Sequence, residues 1–402
     1  MIPAMKYFRA SFVFLLLSTA GWAQDLAILH AKIYASPTSA PISDGVVLIR
    51  SGKITAVGRH IPIPGNIPHL ECDGCVVLPG FWNSHVHFME SKWIGAAHLP
   101  AAQLRDQLQQ MLTHSGFTTV VDCGSDPQNT AELRERIETG KTLGPHIYTA
   151  GYPLYPFHAL PYYLSSLPEE VRQRLPQPET PAQAIAAVDQ NVASGADLVK
   201  LFTGSIVAPN RTTPMSVAIA TAAVAEGHRH HQLVFTHPTD LQGVRIALES
   251  GVDVLAHAPE HTDGIDSVFI QTLVAHHMAM IPTLKLFSRD SNIASIRSVV
   301  FQFHRRGGVL IFGTDTGFLP DYDMSEEYRQ LSLAGLSWRE ILAMLTTAPA
   351  QLFGVADHKG RVAPGMNGDL TILAADPGSG DPAVFTQVRY TIREGRVIFR
   401  AE

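Results

Sequence analysis

Two histidines one residue apart, His85 and His87 in Phe81-Trp82-Asn83-Ser84-His85-Val86-His87-Phe88, are the first residues whose spacing points to chemistry. On an extended strand, positions i and i+2 share a face, so both imidazoles can reach one metal ion. Alone, an H-x-H is a weak signal. Four further candidates each close a short apolar run: Lys200 in Leu198-Val199-Lys200-Leu201-Phe202, His237 in Val234-Phe235-Thr236-His237, His257 in Val254-Leu255-Ala256-His257 and Asp315 in Phe312-Gly313-Thr314-Asp315. An amine flanked by apolar residues is costly as a cation, so the pKa of Lys200 should fall and its neutral form becomes a nucleophile. The competing reading is an ion pair from Lys200 to Asp315.

The elements that must position these residues follow from the hydrophobic pattern. Short β-rich runs alternate with helix-period segments from residue 118 to residue 347, a spacing that implies right-handed crossovers and a parallel sheet. About eight such units over roughly 270 residues is the size of a (β/α)8 TIM barrel, whose strand ends would gather all six residues on one rim. An open doubly wound sheet is the competitor, but no Gly-x-Gly-x-x-Gly turn follows the first strand. Residues 27–77 and the last forty residues instead alternate apolar and polar positions between turns. The expected organisation is a small β-sandwich from residues 24–79 and 358–402 and a barrel over 80–357.

With 402 residues, 46% hydrophobic and 16% charged, the chain can bury a large core and is not a disordered tail. Its formal charge of -6 disfavours a nucleic-acid partner, which calls for a basic face. Lys6 and Arg9 precede an apolar stretch, Ser11 to Ala20, and Gly21 and Ala23 suit a cleavage point. Residues 1–23 therefore read as a secretory signal peptide. The mature chain should begin near Gln24, be periplasmic or secreted, and keep no membrane anchor. In an oxidising compartment Cys72 and Cys75 can pair, or stay as inert thiols around a turn; Cys123 reads as core.

Taken with Leu78-Pro79-Gly80-Phe81 before the H-x-H and Gly365-Met366-Asn367-Gly368-Asp369-Leu370 near the end, these motifs resemble the amidohydrolase superfamily. The resemblance is to its branch of imidazolonepropionase-like proteins and exported Xaa-Pro dipeptidases, and it covers essentially the whole mature chain. It implies a strand-1 H-x-H, a strand-4 lysine, histidines on strands 5 and 6, and a strand-8 aspartate. One departure is Asn83, where many relatives carry Asp. The resemblance further implies that Lys200 takes up carbon dioxide as a carbamate bridging two divalent metals. His85, His87, Lys200 and Asp315 would bind one, and Lys200, His237 and His257 the other.

Zinc is the default metal for these ligands. Hydroxide shared by the metals would attack an amide of a dipeptide or N-acyl amino acid, with Asp315 as the catalytic proton carrier. By the same resemblance His158, after the third strand, would contact the substrate carbonyl. Tyr152 and Arg211, each in a loop after a barrel strand, are candidate substrate contacts; an arginine there could pair with a carboxylate. The partner is thus a small-molecule substrate, with a homo-oligomer left open. Alternatives are a mononuclear deaminase or cyclic-amide hydrolase using His85, His87, His237 and Asp315, a lactonase or esterase on the same metal site, and a non-catalytic binding protein. His228, His230, His231, His276 and His277 lie at helix ends and read as surface residues.

Overall fold

The computed structural model describes residues 24–402, so the signal-peptide expectation, on residues 1–23, lies outside the described residues. Both chain ends build one mixed sheet of eight strands: Leu26–Ile33, Ile42–Arg50, Lys53–Gly58, His69–Glu71, Val76–Pro79, Leu370–Leu373, Val388–Arg393 and Arg396–Arg400. Its join is strand Val76–Pro79, which pairs parallel to the first strand through Lys32↔Val76 and antiparallel to Leu370–Leu373 through Leu78↔Thr371. The chain ends therefore meet in a single hydrogen-bonded sheet, and a second sheet facing it, as the expected sandwich has, is not found among the described residues. Cys72 and Cys75, both buried, form a disulfide across the turn that joins His69–Glu71 to Val76–Pro79, beside the first strand, and Cys123 is free and buried.

The central region is α/β with parallel strands. Strands Phe81–Val86, Phe117–Asp122 and His146–Thr149 form one sheet; Leu198–Phe202, Leu233–His237, Val254–Leu255, Ala279–Met280 and Val309–Leu310 form a second, both in chain order. These strands are almost continuously buried, as parallel strands covered by helices should be. Their ladder is not the uninterrupted barrel expected. Among the described residues, pairing across the two seams thins to the bridges Val86↔Thr316 and Leu154↔Leu201 and scattered backbone bonds such as Ser84 N to Phe312 O and Asp197 N to Thr149 O. Local chemistry explains both breaks: Asp315 adopts a left-handed φ of 59° beside the first seam, and Pro153, with no N–H to donate, precedes the second.

Five of the described helices start on side-chain caps. Asp126 accepts from Asn129 N, Asp240 from Gly243 N and Asp266 from Val268 N and Phe269 N, while Thr180–Gln183 and Ser337–Glu340 form capping boxes. Inside the strands, Val121, Leu198, Phe235, Val254, Ala279 and Ile311, all from successive strands or their ends, meet in one buried cluster. That cluster is the floor on which the site stands. No described helix is long and apolar enough to cross a membrane.

Candidate metal centre

Strand periodicity lifts the candidate ligands off this floor. Leu198 and Phe235 belong to the apolar cluster, so Lys200 and His237, two residues on, share their face one layer nearer the strand ends. Asn83, His85 and His87 climb in the same way, although the strand ends at Val86 and His87 lies just past it. Lys200, His85, His237, His257 and Asp315 are all buried, and His87 is half-buried.

One corner of the site is stitched by backbone hydrogen bonds. Asp315 N donates to His85 O at 2.9 Å, and His87 N donates to Thr316 O at 2.8 Å. The approach is close enough to demand glycine: a Cβ at Gly317, where φ is 98°, would lie 1.9 Å from His87 O. Asn83 ties the same two segments together, donating from Nδ2 to Thr314 Oγ1 at 2.7 Å and accepting from His85 N at 3.2 Å. An aspartate here would have no N–H to offer Thr314, so the Asn reverses the direction of that bond.

This corner brings His85 Nε2 to 3.3 Å and His87 Nε2 to 3.0 Å from the same atom, Asp315 Oδ1. Both rings point Nδ1 at a carbonyl, His85 at Ala256 O and His87 at Gly124 O, each 2.7 Å away. A carbonyl only accepts, so Nδ1 carries the proton and Nε2 of the neutral ring presents a lone pair. Burial, reinforced by Lys200 and His87, holds the His85 pKa well below its ordinary value and keeps that ring neutral. His85 Nε2 and Asp315 Oδ1 are buried and have no hydrogen-bond partner among the described residues. A lone pair facing a carboxylate oxygen at this distance repels unless a cation lies between them. The three ligand atoms lie within 4.8 Å of one another, and the donor set suits a divalent metal.

The opposite corner is assembled differently. His257 Nδ1 donates to Thr283 Oγ1 at 2.8 Å, because that hydroxyl spends its own proton on Pro282 O at 2.9 Å. Its Nε2 is therefore also a free lone pair. No hydrogen bond fixes the His237 ring among the described residues; it stacks on Phe202, with centroids 4.8 Å apart and planes at 16°. The His257 ring links the corners, 4.5 Å from His85 and 4.6 Å from His237. Burial and the Lys200 charge lower the His237 pKa to about 3, and burial lowers that of His257. Burial likewise pulls the Lys200 pKa down. Asp315 Oδ1 lies against the imidazoles of His85 and His87, and no ion pair from Asp315 to Lys200 forms among the described residues.

The sequence profile of the amidohydrolase family matches residues 76–398, which span the H-x-H, the lysine, both later histidines and Asp315. The chain belongs to the amidohydrolase family. It is accordingly a hydrolase of carbon–nitrogen amide bonds, in a family of metal-dependent enzymes acting on small molecules. Among solved structures, a candidate prolidase from Bifidobacterium longum is 25% identical, with 94% of this chain and 95% of that one covered at a TM-score of 0.78. A Xaa-Pro dipeptidase with bound methionine and a prolidase complexed with N-methylphosphonate-L-proline are each 20% identical. For both, 94% of this chain and 100% of theirs are covered at a TM-score of 0.78. At that identity the latter two attest the fold. No curated protein matches the chain.

Two cavities open from the centre of this amidohydrolase. The first, about 370 Å³, is bordered by His87, His237, His257 and Asp315 and reaches Arg211. Arg211 lies not in a loop, as expected, but at the start of a hairpin strand, Arg211–Pro214, paired with Gly204–Ala208; it is exposed. The second, about 730 Å³, adjoins His87 and includes Tyr152, whose hydroxyl donates to Asp126 Oδ2 at 2.6 Å. Tyr152 thus faces this chamber rather than the imidazoles.

His158 is not brought to either cavity. It is exposed, adopts a φ of 51°, and packs its ring 3.8 Å from Phe157. The residue of that loop which borders both cavities is Tyr163, with Phe318 against it at 5.1 Å. The Pro161-Tyr162-Tyr163 run was its only sequence signal. His228 and His230 are paired with Asp253 and Asp189 at 2.9 and 2.8 Å, away from the centre.

Proposed function

We propose that this chain is an exported, metal-dependent amidohydrolase that cleaves the amide of a dipeptide or N-acyl amino acid. The observation that carries the reading is the convergence of two imidazole lone pairs on Asp315 Oδ1 in a buried corner with no proton to share. His85, His87 and Asp315 would hold one divalent ion, and His237 and His257 a second, with zinc the default. Lys200 would serve both: its neutral Nζ adds to carbon dioxide, releases a proton and becomes a carbamate with two oxygens to offer. Its burial, lowered pKa and freedom from a carboxylate partner support this role. Metal bound there supplies polarisation of the scissile carbonyl and acidification of water.

The chain's own residues do the rest. Asp315 takes the proton of the attacking water at its carboxylate and returns it to the leaving nitrogen, which departs as a neutral amine. The Nδ1 bonds to Ala256 O, Gly124 O and Thr283 Oγ1 keep the imidazoles in the tautomer that accepts rather than donates. Arg211, on the rim of the smaller cavity and free of side-chain partners among the described residues, would hold a substrate carboxylate by a bidentate bond. The two parallel sheets are read as the eight strands of a (β/α)8 barrel. Resemblance to prolidase-like structures supports the substrate class.

The deciding experiment is hydrolysis of Xaa-Pro, Xaa-Arg and N-acyl amino acids, with and without chelator, alongside elemental analysis. Chelator-sensitive turnover and about two metals per chain are expected. A reproducible value near one, with Lys200 unmodified, would overturn the binuclear site. Equal turnover of carboxyl-amidated analogues, or an unchanged acid-to-amide ratio in Arg211→Ala, would remove Arg211 from substrate binding. Export is tested by N-terminal sequencing from the native host: Gln24 is expected first, and an intact Met1 in the cytosol would contradict it.

A further inference from the structure

The larger chamber is what the proposed chemistry does not yet use. About half of its wall comes from the long segment between strand His146–Thr149 and helix Pro181–Ala193, far longer than a parallel-sheet connection needs, and the rest from residues 87–94, 124–129 and Phe318. Tyr155, Leu164 and Leu175 are buried in one apolar cluster along this segment, with Phe202, two residues past Lys200, in the same cluster. The chamber therefore continues directly from the metal centre into hydrophobic surface. At about 730 Å³ it is large enough by itself for a ligand of drug size.

Its mouth is apolar too. Met89, Ile94 and Phe318 are among the few large hydrophobic side chains left exposed among the described residues, and all three border the chamber. Leaving them in water costs free energy that a bound apolar group would recover.

Nothing in the chamber stands ready for the free amino terminus of a peptide: among the described residues no carboxylate there is without hydrogen-bond partners. Two carboxylates border the chamber, and both are already engaged. Glu90 accepts from the Tyr322 hydroxyl at 2.6 Å and pairs with Lys92 at 3.2 Å. Asp126 caps Asn129 N at 2.9 Å through one oxygen and accepts from Tyr152 through the other. An ammonium group placed here would lose its water and meet only carboxylate oxygens that already accept hydrogen bonds. Arg174 is exposed and lies beside Tyr152, so it adds no negative charge.

We infer that the chamber is an acyl subsite, taking a medium-chain aliphatic or bulky aromatic acyl group on the nitrogen of an amino acid whose carboxylate faces Arg211. This rests on the amide-hydrolase reading above and narrows it: N-acyl amino acids are substrates ahead of free dipeptides. Tyr163 and Phe318, which border both cavities, flank the passage of the acyl chain from His87 into the chamber. A dipeptide with a small first residue would leave most of the chamber filled only by water.

The test is a chain-length series on the metal-loaded enzyme: N-acetyl-, N-hexanoyl- and N-decanoyl-alanine, with Ala-Ala for comparison. KM should fall by roughly threefold per added methylene until the chamber is full, and Ala-Ala should be poorer than the hexanoyl substrate. Val171→Trp and Leu167→Trp narrow the chamber from its wall; each should abolish the advantage of decanoyl over acetyl in KM. Binding of decanoate to chelator-treated protein, read by calorimetry, should weaken at least tenfold in both variants. Hydrolysis independent of chain length, with no decanoate binding, would overturn the acyl subsite. Decanoate binding lost in the variants but no hydrolysis of any N-acyl amino acid would keep the subsite and overturn the reading of the reaction.

Discussion

The two corners of the metal centre meet where the His85 and His257 rings lie 4.5 Å apart, yet they are held by different means. His85, His87 and Asp315 sit on two segments sewn together by main-chain bonds, with Gly317 permitting the contact. Their ligand atoms are close together before any metal is considered. Lys200, His237 and His257 come from three strands, and their support is a stacked phenylalanine, a threonine hydroxyl and burial. The first corner is preorganised by backbone; the second depends on side chains and on what Lys200 becomes. Function built on side-chain support should be the easier to perturb piecemeal.

The largest effect expected is from Asp315→Asn, which strikes the rigid corner. Asn tolerates the left-handed φ of 59°, so circular dichroism should be unchanged while kcat/KM falls on the order of 10³-fold or more. Activity within a few-fold of wild type would mean that the carboxylate moves no proton.

Lys200→Met strikes the other corner and divides the two. It should reduce the metal content from about two per chain to about one and turnover on the order of 10²-fold, since the backbone-sewn corner keeps its own ligands. A metal content unchanged by the substitution would abolish the distinction drawn between the corners.

Thr283→Ala sharpens the comparison without touching a ligand. It removes the acceptor that fixes the His257 tautomer and should weaken metal affinity or activity by about 10- to 100-fold, with Thr283→Ser restoring it. Equal loss in Ser and Ala would assign the effect to backbone strain at Thr283, whose φ is 44°.

The smallest effect concerns the support beneath Thr283. Glu327 is fully buried; its Oε2 accepts from Lys285 N at 2.6 Å, and Oε1 has no partner. Burial raises its pKa to about 8, against the opposing Lys285 and Leu284 amides and the Lys285 charge, with Glu326 adding to the rise. The folded state then binds more protons than the unfolded chain between about pH 4.5 and 8, so stability from this group declines as pH rises through that window. Glu327→Gln should flatten the fall in Tm between pH 5 and 8, removing a slope of at most ~1.4 kcal/mol per pH unit. Parallel Tm curves for the two proteins would mean that Glu327 is ionised throughout.

Legibility in the sequence followed the range of the interactions. The strands carrying Lys200 and His237 were readable because five consecutive apolar-flanked positions set them apart. Strand Ala279–Met280 and helix Ile293–Arg305 were not anticipated, the strand being only two residues long. The hairpin Gly204–Ala208 and Arg211–Pro214 was also missed, and with it the true setting of Arg211. In the long segment after the third strand the right stretch was singled out but the wrong side chain: His158 points to solvent, and Tyr163 borders the cavities. Nothing in a local pattern says which ring of a Pro- and Tyr-rich loop turns inward.

By itself the sequence determined the ligand types, their order along the chain and their period-2 placement on the strands, because alternation is a property of the extended backbone alone. Only the tertiary structure decided that Asp315 would take a left-handed turn against His85 and His87, and that Thr283 would select the His257 tautomer. It also decided that one cavity would border the imidazoles with a mixed lining and the other would be a large, mostly apolar chamber. Those outcomes depend on atoms hundreds of residues apart approaching within hydrogen-bond distance, and such approaches are set by packing rather than by neighbours in the chain.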